Sequence, residues 1–387
     1  MLKFLSMQKE NKEYIKQIIR YVIYLVVVLG LTVLAFYLTI GNNSNAILQT
    51  LENANIWWIM AILGVVICCI LLRSIVIFVL MRTYNKKYFF HRSIAIDQVG
   101  TLYRMVTPAG LGSHIMELYT FKKQHISISD GLSVLALYSL LYQVILIIYN
   151  TITIIVKAPL VSEIGFINLA FNDSAHVDVP LWLLITLGYV VNLSVIAFIF
   201  FVSYWDGFYR FLNGPMARFL HKIKVVKDVD AYQYKLVGAK DNFRKNIRHL
   251  FKNWPAVVIA LVSFFAYITI SYSVPYFAGL ALNNQSVNAN FWDSVLLSNF
   301  HQMVTCLIPI PGNSMVSELF FLRLFHSSNP DISFYENEEI ARAALLLWRS
   351  LMFIFPLFIS CLFTVIYRPR KVDPTDASNQ ENQDIKE

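Results

Sequence analysis

Long apolar runs, separated by clusters of charge and bounded by aromatic residues, dominate this 387-residue chain. A hydrocarbon layer about 30 Å thick needs about 20 apolar residues in a helix. Six runs reach that length with at most one charge each: Tyr21 to Ile40, Trp57 to Met81, Gly131 to Val156, Pro180 to Tyr204, Trp254 to Leu282 and Ala343 to Tyr367. Trp57, Trp58, Trp254 and Tyr367 stand at run ends, where a membrane interface favours aromatic rings. Two further stretches, Ser93 to Tyr119 and Phe291 to Phe325, are apolar on average but interrupted by Pro, Gly and polar side chains. The pattern predicts an all-α polytopic integral membrane protein of six transmembrane helices plus two re-entrant helical hairpins.

Composition and charge sharpen that picture. Hydrophobic residues make up 57% and charged ones 14%, against about 25% charged in a soluble domain, and mean hydropathy is +0.55. A soluble enzyme is excluded. The net charge of +8 is an orientation signal rather than a nucleic-acid footprint, since no recognition module accompanies it. The segment 205–253 carries eleven basic residues against four Asp, which places it in the cytoplasm by the positive-inside rule. If each broken stretch enters and leaves by one side, the basic N-terminus 1–20, Arg82 to Arg92, Lys122, Lys123 and the start of the tail at Arg368 share that side. Gly41 to Ile56, Asn283 to Asn290 and the acidic run Asp331, Glu336, Glu338, Glu339 then face out. The expected organisation is a cytoplasmic 1–20, a transmembrane domain 21–367 and a disordered cytoplasmic tail 368–387, in a plasma membrane, with both termini inside.

Cys68, Cys69, Cys306 and Cys361 all fall in apolar runs without metal-ligand spacing and read as small buried hydrophobes. The eight histidines are scattered, no phosphate-binding loop of the Gly-Lys-Ser type occurs, and neither a metal nor another cofactor is expected.

The two broken stretches resemble each other. Met-Val-Thr precedes a Pro and Gly break in both, and a Glu follows nine residues after a Pro, at Pro108 to Glu117 and Pro309 to Glu318. The first would follow an inward span and the second an outward one, as in an inverted repeat. Irregular backbone at membrane depth is tolerated only where it is buried in protein or lines a wet cavity, and matched breaks in two halves point to a midplane substrate site. Half-helix N-termini suit a phosphate. Candidate lipid-binding residues are therefore Arg104, Thr107, Pro108, Gly110, Gly112, His114 and Glu117 in the first stretch, and Pro309, Pro311, Gly312 and Glu318 in the second. Arg349, inside the last span, is either an ion-pair partner of Glu318 or a phosphate ligand that Glu318 orients. Arg73 is read as a headgroup contact that snorkels to the cytoplasmic interface. Asp293 and His301 are expected near the outer interface with no special role.

At MVTPAGLGSHIMELYTFKKQHISIS, IPIPGNSMVSELFF and ARAALLLWRSLMFIFPL the chain resembles the flippase-like transmembrane family found as the membrane part of lysylphosphatidylglycerol synthetase, the multiple peptide resistance factor. The resemblance spans roughly Ile18 to Tyr367, and Thr107, Pro108, Gly112, Pro311, Gly312, Glu318 and Arg349 match it. Ser113, His114 and Asn313 to Met315 depart from the usual glycine-rich turns, which bears on the bound headgroup. The resemblance implies handling of a phospholipid, such as lysyl-phosphatidylglycerol, or of a polyprenyl-linked lipid. Bifunctional members also transfer lysine from lysyl-tRNA through a cytoplasmic domain, for which the 20 residues after Tyr367 leave no room. Two functions stay open: lipid translocation, and phosphatidylglycerol lysyltransferase or its membrane subunit, contributing to cationic peptide resistance. A structural scaffold is a third. The partners implied are a membrane phospholipid or lipid-linked substrate, a separate synthase or glycosyltransferase, and a second copy of the chain in a homo-oligomer.

Overall fold

The computed structural model describes residues 44–204 and 251–367, apart from 108–109, 173–174, 309, 328, 330 and 332, together with isolated positions between 26 and 37 and between 207 and 249; the side chains of 167–177, 199–200, 202–204 and 311 are left aside. Five helical stretches are long and apolar enough to cross a membrane: Ile56–Arg82, Ile128–Ile164, Leu181–Phe198, Trp254–Ala281 and Glu338–Ile366. These correspond to five of the six expected spans, and the protein is a polytopic helical membrane protein. Most of the first expected span, Tyr21 to Ile40, lies outside the described residues, as do residues 1–20, most of the basic segment 205–253 and the tail 368–387.

In chain order the described helices are α1 (Ser44–Glu52), α2 (Ile56–Arg82), α3 (Phe90–Val106), α4 (Gly112–Lys123), α5 (Ile128–Ile164), α6 (Leu181–Tyr204), α7 (Trp254–Tyr272), α8 (Val274–Ala281), α9 (Phe291–Thr305), α10 (Val316–Phe325), α11 (Glu338–Arg349) and α12 (Phe355–Ile366). Side chains start several of them. Asn55, Ser127, Asn290 and Asn337 each accept a hydrogen bond from a first-turn amide, which satisfies one of the donors a helix start leaves free. Between α11 and α12 a π-helical turn covers Ser350–Ile354. Pro356 follows it, and its missing N–H releases a carbonyl of the preceding turn, which lets the helix widen there.

Helix ends define two faces. Asn55 N donates to Ala281 O at 2.7 Å, and Asn253 Nδ2 donates to Thr83 Oγ1 at 2.9 Å, so α2 and the α7–α8 pair run antiparallel and meet at both ends. The Thr83 end also gathers Arg82, Lys86, Lys87, Arg92, Lys122 and Lys123. There Gln124 receives the Tyr88 hydroxyl and donates to Arg92 O and to the Tyr367 hydroxyl. At the other end Asn284, Ser286 and Asn288 bond the backbone of Phe334, Ser333 and Asp331, and Asn329 reaches Glu163. One end is basic and the other acidic. At about 1.5 Å per residue the 37 residues of α5 exceed a bilayer core, so this helix projects beyond it.

Both broken stretches are helix–turn–helix units within this frame. α3 starts and α4 ends at the basic end, tied by Gln124 to Arg92 at 3.1 Å. α9 starts and α10 ends at the acidic end, where Tyr335 N donates to Phe325 O at 3.0 Å. The two turns point toward each other: a Cβ on Gly312 would stand 3.5 Å from Met105 O, at the close of α3.

Packing follows from the solvent. Lipid is as apolar as leucine, so helices associate through close fit and small residues. Ala278, Ala281, Ala341, Ala343 and Ala344 are fully buried, and a Cβ on Gly188 would collide with the Met303 backbone. One apolar cluster packs Phe300, Phe320, Phe321, Phe325, Phe334 and Tyr335 around the second unit. Another packs Tyr138, Phe121 and Phe264 beside the first. Two elements were not anticipated: α1, whose Ile47 is buried, and an antiparallel β-hairpin, Phe166–Asn172 with Ala175–Pro180, closing the gap between α5 and α6.

Candidate functional site

The second break is built around Arg349. After Ile310 the backbone makes a short 3-10 turn over Pro311–Asn313, and Gly312, Asn313 and Met315 all adopt positive φ, at 63°, 49° and 71°. Two of these are not glycine, and such conformations persist only where surrounding contacts enforce them. Arg349 ties down the residues on either side of Asn313. Its Nη2 donates to Gly312 O at 2.6 Å and Ser314 Oγ at 2.8 Å, its guanidinium lies 4.0 Å from the Phe353 ring centroid, and its Nε sits 2.8 Å from Glu318 Oε1. The Arg349–Glu318 contact is close enough for an ion pair but is misaligned for a hydrogen bond, and neither Glu318 oxygen has a hydrogen-bond partner among the described residues. Arg349 is only 4% exposed. Of the two roles open to it, the geometry is that of the ion pair.

The first break is organised by a carboxylate instead. Thr107 Oγ1 donates to Tyr103 O at 2.6 Å and accepts Gly112 N at 3.0 Å, so the Thr107 hydroxyl occupies the N-terminus of α4. Gly110 takes φ +65° beside the Arg104 side chain. Glu117 is buried and receives Ser113 Oγ at 3.0 Å, His114 Nδ1 at 2.7 Å and Arg104 Nη2 at 3.4 Å. A Cβ at position 100 would collide with this carboxylate, which is why glycine stands there. In contrast with Arg349, the Arg104 side chain is 38% exposed and that of His114 is 54% exposed. Arg104 therefore keeps donors for a ligand, whereas both ring nitrogens of His114 are engaged, Nδ1 by Glu117 and Nε2 by Ser139 Oγ at 3.3 Å.

Arg73 requires a correction. It does not reach outward to headgroups: it turns into the bundle, donating to both Asp97 oxygens at 2.8 and 3.1 Å and to Thr101 at 3.2 Å, with the Tyr267 ring 5.3 Å away. Sequence reasoning missed Asp97, although a lone acid in an apolar stretch calls for a partner cation. His301 is likewise not at an interface. It is buried, with Nε2 2.8 Å from Ser317 O and its ring 5.3 Å from that of Trp348. Asp293 is at the acidic end as expected, but it has a partner there, Lys157.

The structure thus gathers the candidates into two groups: Arg104, Thr107, Gly110, Gly112, His114 and Glu117 at one turn, and Gly312, Glu318 and Arg349 at the other. Pro108 and Pro309 lie outside the described residues, and Pro311 is described by its backbone alone. A separate cavity of about 220 Å³, walled by Lys157, Glu163, Asn288, Asp293 and Asp331, opens at the acidic end and not at either turn.

No curated protein and no solved structure matches this chain. The family model of the lysylphosphatidylglycerol synthase TM region matches residues 18–360. That match covers most of the chain, and the protein belongs to the lysylphosphatidylglycerol synthase TM region family.

Proposed function

We propose that this protein moves a lipid with an anionic headgroup between the leaflets of a plasma membrane, through six spans and two re-entrant hairpins arranged as an inverted repeat. The observation that carries the reading is the meeting of two helix breaks, reaching inward from opposite ends of the bundle, each with a buried carboxylate beside it. Such breaks lie in protein-lined space at membrane depth. The basic end faces the cytoplasm, with both termini.

The phosphate is assigned to Arg104, whose side chain is exposed beside the first break with His114 next to it, and not to Arg349, whose contacts hold the opposing turn. Thr107, Gly110, Gly112 and Glu117 shape and charge that site, while Gly312 and Glu318 form the other wall. Phosphatidylglycerol, its lysyl form and a polyprenyl-linked lipid all present the required phosphate.

The test is headgroup translocation in proteoliposomes with labelled phosphatidylglycerol and its lysyl form, comparing the natural protein with Arg104→Gln at equal insertion. Fast movement that falls at least tenfold in the variant is expected. Equal rates in both would remove Arg104 from the site. No movement by either would favour the second reading, suggested by the family to which the chain belongs: a membrane subunit of an aminoacyl-lipid synthase. In that case a soluble synthase added to the vesicles would restore lysyl-lipid formation, with consequences for cationic peptide resistance.

A further inference from the structure

α5 and α9 pack antiparallel along a seam with a readable register. Lys157 pairs with Asp293 at the acidic end. One turn deeper, Asn299 Nδ2 donates to Thr153 Oγ1 at 3.0 Å. Three residues further along each helix, on the same faces as Thr153 and Asn299, stand Asn150 and Gln302. Here hydrogen bonding stops: both amide atoms of Asn150, Asn299 Oδ1 and Gln302 Oε1 are buried with no partner among the described residues, and Asn150 and Asn299 are each 0% exposed. An unmade bond on a buried polar group costs about 1–3 kcal/mol, so the three amide oxygens along one seam call for a shared ligand that they can coordinate.

The chemistry of the seam selects the ligand. Its unpaired atoms are mostly amide oxygens, which replace water around a cation as carbonyls do in ion filters. α9 ends at Thr305, so the negative end of its dipole lies beside the same atoms. A divalent ion would require carboxylates in its shell, and none belongs to this set. At the acidic mouth of the seam lies the cavity with three carboxylates, Glu163, Asp293 and Asp331, against the single Lys157, a balance that concentrates cations.

We propose that Asn150, Asn299, Gln302 and Thr153 hold a monovalent metal cation at the end of α9, beside the second break, reached from the acidic cavity. The proposal is independent of lipid movement and is tested without it. Purified protein in detergent is melted in choline chloride, NaCl and KCl, and binding of radioactive sodium and rubidium is measured directly. Sodium or potassium is expected to raise the melting temperature saturably by several degrees over choline, with tracer bound stoichiometrically; the salt that acts identifies the ion. Asn150→Leu is expected to lose both effects while melting in choline no lower than the natural protein, since the orphan amide is gone. Asn299→Asp, which adds a carboxylate, is expected to tighten binding at least tenfold. Identical melting in all three salts with no bound tracer would mean hydrated amides only and overturn the proposal. Undiminished binding in Asn150→Leu, or unchanged affinity in Asn299→Asp, would place the ion elsewhere and overturn it equally.

Discussion

Arg349 Nε stands 2.8 Å from Glu318 Oε1, joining the second helical hairpin to the last long helix by a charge pair in which both side chains are almost wholly enclosed. Removing one partner of such a pair leaves an uncompensated charge and costs about 3–5 kcal/mol. Glu318→Gln and Arg349→Gln should each lower the melting temperature strongly, while the double replacement should cost much less than their sum. A thermal double-mutant cycle in detergent measures this. Simple additivity would show that the two residues do not act as a pair.

Gly312 answers to a double constraint: φ of +63°, and a missing Cβ that would stand 2.6 Å from the Phe353 ring. Gly312→Ala should destabilise the protein by about 1–3 kcal/mol from backbone strain alone, plus the clash. Adding Phe353→Leu should recover the steric share and leave the strain. Melting curves of the two variants separate the contributions, and full recovery would assign everything to the ring.

Two glycines in apolar helices should behave oppositely. Gly188 lies where α6 meets the Met303 backbone, whereas nothing stands within 4 Å of the Cβ position at Gly64. Gly188→Ala should force α6 away from α9 and sharply reduce the yield of folded protein. Gly64→Ala should be neutral or stabilise by up to about 1 kcal/mol, the helix preference of alanine over glycine. Size-exclusion profiles and melting temperatures distinguish them, and equal effects would contradict the α6–α9 contact.

Lys86 and Gln285 lie at opposite ends of the bundle. A single cysteine at position 285, in a chain cleared of its natural thiols, should react with an impermeant maleimide added to intact cells. One at position 86 should react only after permeabilisation. The reverse pattern would invert the orientation assigned from the basic residues.

Much of the architecture is legible in the chain, because spans and breaks are written in local terms: apolar length, a Pro with Gly beside it, charge between runs. The spacing from Pro108 to Glu117 and from Pro309 to Glu318 marks both carboxylates, and charge at membrane depth names Glu318 as a candidate partner of Arg349, but their contact is seen only in the fold. Side-chain direction was not legible. Arg73 is eight residues from the inner end of its run and reads as a snorkelling residue until Asp97, 24 positions later, is seen on the facing helix. The difference in exposure between Arg104 and Arg349 has the same origin, since exposure depends on which helices close over a residue. His301 gave no local signal at all, because its partner is the backbone of Ser317 across the turn. The β-hairpin after α5 was missed because the stretch 166–180 lies between two long apolar runs and reads only as their connection.

The antiparallel pair of α2 with α7 and α8 is fastened at both extremities, by Asn55 to Ala281 and by Asn253 to Thr83. Neither helix can slide along the other without breaking a bond at one end or the other. In the proposed lipid movement this pair is the fixed element. The stroke then belongs to the two hairpins and the helices that carry them, and it is read out where their turns approach, at Met105 and Gly312.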